Sequence, residues 1–237
     1  WLAACVLTQI SKAGRPMLYN FLPVFTDMRD GSYATGAIEI GIMNSAICQM
    51  ARFYDVPSAG YLGLTNSKTS DAQAGYEKGM SPILGTMSGV NYIVMGGLLD
   101  ALMSLDLAQV AIDNEIALMA KRAACGMEFS EENLALDEIK KAGHGGMYIG
   151  NPETLKRMTK TCFLPELADR TIREVWEMQG SRDVHARALD QVRFILTQPN
   201  KYAISAETDA KIKAAFPGIV AGDSVPPEGW IAPEQTR

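Results

Sequence analysis

The residues best placed to meet a ligand in this chain are not arranged as a nucleophile with its base. They are polar and small residues that follow short apolar runs: Asn20 after the first, Tyr61 and Thr65 after the second, Gly96-Gly97 after the third. Lys68 and Asp71 stand just beyond Thr65, in the segment from Thr65 to Lys78. In a parallel α/β protein, strand ends of this kind meet at one end of the sheet, where ligands bind. Tyr61 either offers its π face to a cation or forms part of a barrel wall, and both readings stand. The Lys68 amine has the chemistry of a Schiff-base nucleophile. Asp71 and Glu77 also suit the positive end of a helix for purely structural reasons. Gly143-His144-Gly145-Gly146 is rich in glycine, but its spacing fits neither a phosphate loop nor a dinucleotide turn. Its glycines suit a tight turn, and His144 is the one residue there able to act as a donor or ligand. His185, beside Arg182 and Arg187, reads as a solvated helix position, and Asp113-Asn114-Glu115 as a solvated turn of an otherwise apolar helix.

The elements that must position these residues follow from periodicity and breakers. A helix through Ala13 is stopped by Gly14, and strands are expected over 17–21, 56–62 and 91–95. Helices are expected over 37–54, from Ser70 through Met87, and over 105–125. On the first of these, Ile38, Ile42, Ala46, Ile47, Met50 and Tyr54 predict one buried stripe. On the second, Ala72, Tyr76, Met80, Ile83, Leu84 and Met87 predict the inner face, Ser70 and Gln73 a capping box, and Pro82 a bend. The alternation predicts an α/β fold, a partial (β/α)8 barrel with about half its strands and a fourth strand at 147–150. Helices follow over 131–142, 152–162, 171–179, 181–198 (capped by Ser181) and 206–216. The expected division is a barrel half over 1–130, a helical region over 131–217 and an extended tail over 218–237. A half barrel leaves open strand edges, so the chain reads as a piece of a longer protein.

Composition narrows the function classes. The 237 residues are 47% hydrophobic and carry a net charge of −5, so nucleic acid is not an expected partner. No apolar run reaches the roughly 18 residues of a membrane span, and the first ten residues lack the flanks of a signal peptide. Cys5, Cys48, Cys125 and Cys162 are widely spaced and read as buried thiols of a reducing, cytoplasmic protein. With two histidines and no Cys-x-x-Cys, no bound metal is expected.

Several blocks, in order, carry a family resemblance. Asp71-Ala72-Gln73-Ala74-Gly75-Tyr76-Glu77 resembles the signature of the trimethylamine methyltransferase family, corrinoid-dependent methyltransferases. Asp27-Met28-Arg29 with Gly31 and Gln49-Met50-Ala51-Arg52-Phe53-Tyr54 precede it. Val110-Ala111-Ile112-Asp113-Asn114-Glu115, Gly143-His144-Gly145-Gly146 with Thr154-Leu155, and Leu164-Pro165-Glu166-Leu167-Ala168-Asp169-Arg170 follow it. The likeness runs to about Leu196 and corresponds to the C-terminal portion of the longer family members. Where the family usually has Gly-Pro-Gly-Gly and then a polar residue, this chain has His144 in second place and Met147 after the glycines.

The resemblance implies a TIM-barrel enzyme that moves a methyl group from a methylated amine to the Co(I) of a cognate corrinoid protein. Members acting on trimethylamine carry pyrrolysine, which this sequence does not print, so a quaternary amine such as a betaine is the implied substrate. Asn20, Tyr61, Thr65, Lys68 and Asp71 then become substrate-binding candidates, and Gly96, Gly97 and His144 corrinoid-facing ones. The corrinoid (cobalamin) would arrive on the partner protein. Two other readings remain open. One is a non-catalytic barrel module acting through association with a partner or as a homo-oligomer; the other is an unrelated barrel lyase or aldolase using Lys68.

Overall fold

Three short runs become the three strands of a parallel sheet: β1 (Tyr19–Phe21), β2 (Ser58–Tyr61) and β3 (Tyr92–Val94), in the order β1-β2-β3. Tyr19 pairs with Ser58, and Ala59 with Tyr92. The computed structural model describes residues 1–198 and 204–216, so the expected tail over 218–237 lies outside the described residues. Helix α1 (Leu2–Ser11) precedes β1, α2 (Ile38–Phe53) joins β1 to β2, and α3 (Ala72–Met87) joins β2 to β3. An antiparallel hairpin, β4 (Leu98–Leu99) and β5 (Ser104–Leu105), follows and leads into α4 (Leu107–Ala124). The hairpin has no counterpart in the sequence reading, because strands of two residues leave no periodicity to detect.

Helices α2, α3 and α4 pack side by side, and α2 lies against one face of the sheet. Gly60 faces α2: a Cβ there would lie 2.4 Å from the Asn44 Oδ1. Alternation along the strands turns Asn20, Tyr61 and Tyr92 to the opposite face, where Asn20 and Tyr92 are exposed. On the helix side, Tyr19 joins Trp1 and Tyr54 in a cluster with ring centroids 4.4 and 4.8 Å from Trp1.

The expected inner faces of α2 and α3 are largely turned outward, although Ile47, Tyr54 and Leu84 of the expected stripes are half-buried. Ile40, Gly41, Asn44, Cys48 and Ala51 are buried on α2, while Ile38, Ile42 and Met50 are exposed. On α3 the buried set is Ala74, Lys78, Ser81, Pro82 and Gly85, while Tyr76, Met80, Ile83 and Met87 face outward. The cause is a division of labour in packing. Leu62 and Leu64, just past β2, supply the bulk, and the helices supply small residues that receive it. A Cβ on Gly85 would meet Leu62 Cδ1 at 2.2 Å, which leaves no room for a large residue on that face.

Capping also differs from expectation. Asp71, not Ser70, caps α3 by accepting from the Ala74 N–H at 3.0 Å. Residues 147–150 are irregular chain ending in a turn, not a fourth strand: Met147 and Ile149 are exposed, and among the described residues no strand pairs with them. The expected helix over 131–142 is two helices, α5 (Glu131–Leu134) and α6 (Leu136–Ala142), broken where Ala135 takes a left-handed φ of 52°. Helices α7 (Pro152–Thr161) and α8 (Arg173–Met178) follow. Helix α9 (Val184–Thr197) starts after Asp183, whose carboxylate accepts from Ala186 N, whereas Ser181 has a left-handed φ of 52° and lies outside it. Cys48 is buried as expected, but Cys125 and Cys162 sit exposed at the ends of α4 and α7, and all four thiols are free.

The chain divides into two units, residues 1–188 and residues 189–237. In the second, the described residues are largely helical: the remainder of α9, and α10 (Ala206–Ala215). Ser205 caps α10, and Glu207–Lys211 and Asp209–Lys213 pairs brace it.

Candidate functional site

The loops that leave the C-terminal ends of β1, β2 and β3 are tied to one another at Thr65. The Thr65 carbonyl accepts from the Thr35 hydroxyl at 3.0 Å and from Ala101 N at 3.0 Å. Its hydroxyl donates to Glu77 Oε2 at 2.5 Å and accepts from Ser67 N at 2.9 Å. Asn66 Oδ1 accepts from Gly36 N at 2.9 Å, its Nδ2 donates to the Tyr33 carbonyl at 2.8 Å, and its own N–H donates to Glu77 Oε2. Gln73 donates to the other oxygen of Glu77 at 2.9 Å, so this carboxylate braces the whole loop from α3. Thr65 is thus a fully buried hub, not a free hydroxyl.

Beneath this mouth lies an ion pair sealed from solvent. The Lys78 side chain is 0% exposed and that of Asp113 1%, with Nζ to Oδ2 at 2.8 Å. Lys78 also donates to the Gly63 carbonyl at 2.8 Å. Asp113 accepts from Gly97 N at 2.7 Å and, through Oδ1, from Gln109 Nε2 at 2.8 Å. Gln109 in turn accepts from the Ser70 hydroxyl at 2.6 Å. Two charges buried together persist only when such added hydrogen bonds satisfy them. The result fixes the loop after β2, at Gly63 and Ser70, to the loop after β3, at Gly97. Gly97 is required there: its φ is +71° and a Cβ would lie 2.4 Å from Val110 Cγ2.

The expectation that Asp113-Asn114-Glu115 is a solvated turn is therefore overturned. Asp113 is the pair just described. Glu115, also buried, accepts from three successive backbone N–H groups, Glu166, Leu167 and Ala168, at 2.7–2.9 Å. Arg187 donates to the Leu167 carbonyl at 2.8 Å and completes the anchoring of that segment. His185 is corrected too: its Nε2 lies 2.9 Å from Asp106 Oδ2 and its side chain is only partly exposed.

The turn that joins β4 to β5 is strained. Asp100, Ala101 and Leu102 take successive φ values of 49°, 51° and 78°, a left-handed run of non-glycine residues that costs about 1–2 kcal/mol each. It is held by hydrogen bonds from Asp100 N to the Ser67 carbonyl (2.7 Å) and from Ala101 N to Thr65. Strain of this kind concentrates at sites whose geometry matters.

The candidates named from the sequence fall as follows. Asn20 lies within β1 and Tyr61 ends β2, on the same sheet face. Thr65 is the buried hub. Lys68 is exposed and lines a cleft of about 430 Å³ with Thr69, Asp106, Asp183 and His185. The Asp71 carboxylate accepts from Ala74 N and from the Ser67 hydroxyl, which hold it below the usual aspartate range. Gly96 and Gly97 form the turn after β3. His144 stands exposed in the glycine turn between α6 and α7 and, among the described residues, has no hydrogen bond to the mouth. Lys78, Asp113 and Glu115 were not among the candidates. The available signal was Gln109 four residues before Asp113, the spacing of one helix face. No group of three or more His, Cys, Asp and Glu side chains placed to hold a metal occurs among the described residues. No described helix is long and apolar enough to cross a membrane.

Comparison with known proteins adds to this geometry. The model of the trimethylamine methyltransferase (MTTB) family matches residues 1–217. The chain is 35% identical over 195 residues to "Trimethylamine methyltransferase MttB" of Desulfitobacterium hafniense (strain DSM 10664 / DCB-2), covering 82% of this chain and 39% of that protein. It is 35% identical over 217 residues to "Glycine betaine methyltransferase" of Desulfitobacterium hafniense (strain Y51), covering 90% and 44%. It is 32% identical over 206 residues to "Trimethylamine methyltransferase MttB" of Methanosarcina barkeri (strain Fusaro / DSM 804), covering 87% and 41%. The chain thus spans less than half the length of the curated relatives it matches.

Proposed function

The chain belongs to the trimethylamine methyltransferase family, and from that premise we propose that it serves methyl transfer from a methylated, quaternary amine such as a betaine. The acceptor is the Co(I) of a corrinoid protein, a second substrate brought by a partner. The three βα units are part of a (β/α)8 barrel whose mouth is the knitted end of β1, β2 and β3. In the reaction the methyl carbon bonds to cobalt as the C–N bond breaks, and the bonding pair stays on nitrogen. A quaternary amine leaves as a neutral tertiary amine, so no proton has to be supplied. The protein's work is to bind, orient and keep water away.

The observation that carries this reading is the rigid mouth joined through Thr65, Glu77 and the Lys78–Asp113 pair, at the end of the sheet where barrel enzymes bind substrate. Asn20, Tyr61, Thr65, Lys68 and Asp71, in the strands and the loop that follows β2, are the proposed substrate-binding residues. Gly96, Gly97 and His144 are the proposed surface toward the corrinoid. The test uses the full-length protein with glycine betaine and its corrinoid protein reduced to Co(I). Methyl–Co absorbance should rise with betaine. Failure with every methylated amine tried would overturn the proposal.

A further inference from the structure

The cleft that contains Lys68 has charges of opposite sign on its two walls. One wall is the loop before α3, carrying Lys68 and Thr69; the other is built from the starts of α4 and α9, carrying Asp106 and Asp183. Leu99 and Leu105 give it an apolar lining. At about 430 Å³ it falls within the roughly 300–1,000 Å³ typical of small-molecule sites. Its lining comes from the loops that follow β2 and β3 and from the starts of α4 and α9.

The two walls are prepared differently. The Lys68 side chain is 72% exposed; Nζ donates to the Asn66 carbonyl at 2.8 Å and lies 3.6 Å from Asp100. An ammonium has three N–H groups, so capacity is left for an acceptor in the cleft. Across from it, Asp106 caps α4 through Oδ1 and meets His185 through Oδ2. Asp183 uses Oδ1 to cap α9. These carboxylates have their hydrogen-bond duties within the fold. A quaternary ammonium donates no hydrogen bond, so it can gain from their charge without displacing those bonds.

Resting on the reading of the substrate as a methylated amine, we propose that this cleft selects a zwitterion. Lys68, with the Thr69 hydroxyl beside it, takes the ligand's carboxylate, and Asp106 and Asp183 face its quaternary ammonium. A methylated amine without a carboxylate places its cation in the cleft beside the Lys68 ammonium and brings no anion to meet that charge. Rejection is therefore built in together with recognition.

The experiment is calorimetric titration of the full-length protein with glycine betaine and with choline, which keeps the trimethylammonium but lacks the carboxylate. Wild type should bind betaine at least tenfold more tightly than choline. Lys68→Met should lower betaine affinity at least tenfold while leaving choline unchanged or tighter, and Lys68→Arg should restore the preference. Asp183→Asn keeps a capping side chain, removes the charge and should weaken both ligands alike. Equal loss of both ligands in Lys68→Met, unchanged betaine affinity in that variant, or no binding of either ligand to wild type would overturn the proposal. The function reading fails separately: Lys68-dependent betaine binding without methyl transfer to Co(I) sinks that reading and supports this site. Methyl transfer from betaine undiminished in Lys68→Met sinks this site and leaves the function reading standing.

Discussion

The two faces of α3 invert the usual arrangement of a helix on a sheet. Its outward face carries Tyr76, Met80, Ile83 and Met87, and its inward face Ala74, Lys78, Ser81 and Gly85. An ordinary core helix would bury the first set and expose the lysine. Here the inward face serves two purposes that large apolar residues would defeat. Gly85 admits Leu62 from the end of β2, and Lys78 reaches Gly63 and Asp113 to lock the mouth loops. The lesson is that the apolar stripe of a helix marks its inner face only when that helix supplies the bulk of the contact.

If this account of the inner face holds, substitutions there should cost far more than substitutions of larger residues outside. Lys78→Met strands the Asp113 charge in the interior and should destabilise by about 3–5 kcal/mol, read by urea unfolding. Gly85→Ala comes next. The clash with Leu62 costs about 1–3 kcal/mol and outweighs the gain of about 1 kcal/mol in helix propensity, so the melting temperature should fall. At the helix start the effect is smaller and depends on pH. Folding holds the Asp71 carboxylate below its unfolded value, so its contribution is complete above that value, about 3.9, and is lost as pH falls through the folded one. The stability difference between wild type and Asp71→Asn, measured by melting from pH 7 down to pH 3, should therefore shrink toward acid. Smallest of all, Met80→Gln and Met87→Gln on the outward face should each shift stability by no more than about 0.5 kcal/mol. A large loss there would mean that the outer stripe is the true core face.

The strands were legible because Gly, Pro and Asn punctuate them: β1, β2 and β3 fall inside the expected runs. The helices were legible for the same reason, to within a few residues. Side-chain direction was not. The apolar residues of α2 and α3 share a face, and nothing in one sequence says that Leu62 and Leu64 are the residues that fill the space between helices and sheet. The loop from Thr65 to Asp71 was recognisable as a polar segment following a strand. Its tethers were not, since Lys78, Asp113 and Glu115 look like ordinary helix-surface charges until tertiary partners are known. The left-handed turn at Asp100–Leu102 had no signal at all, because it contains no glycine.

The central claim is that Lys78 and Asp113 act as one buried unit beneath the mouth. A double-mutant cycle with Lys78→Met, Asp113→Leu and the combined variant, followed by urea unfolding, tests it directly. The double variant should lose less than the sum of the two single losses, with a coupling of about 1–3 kcal/mol. Additive losses would contradict it.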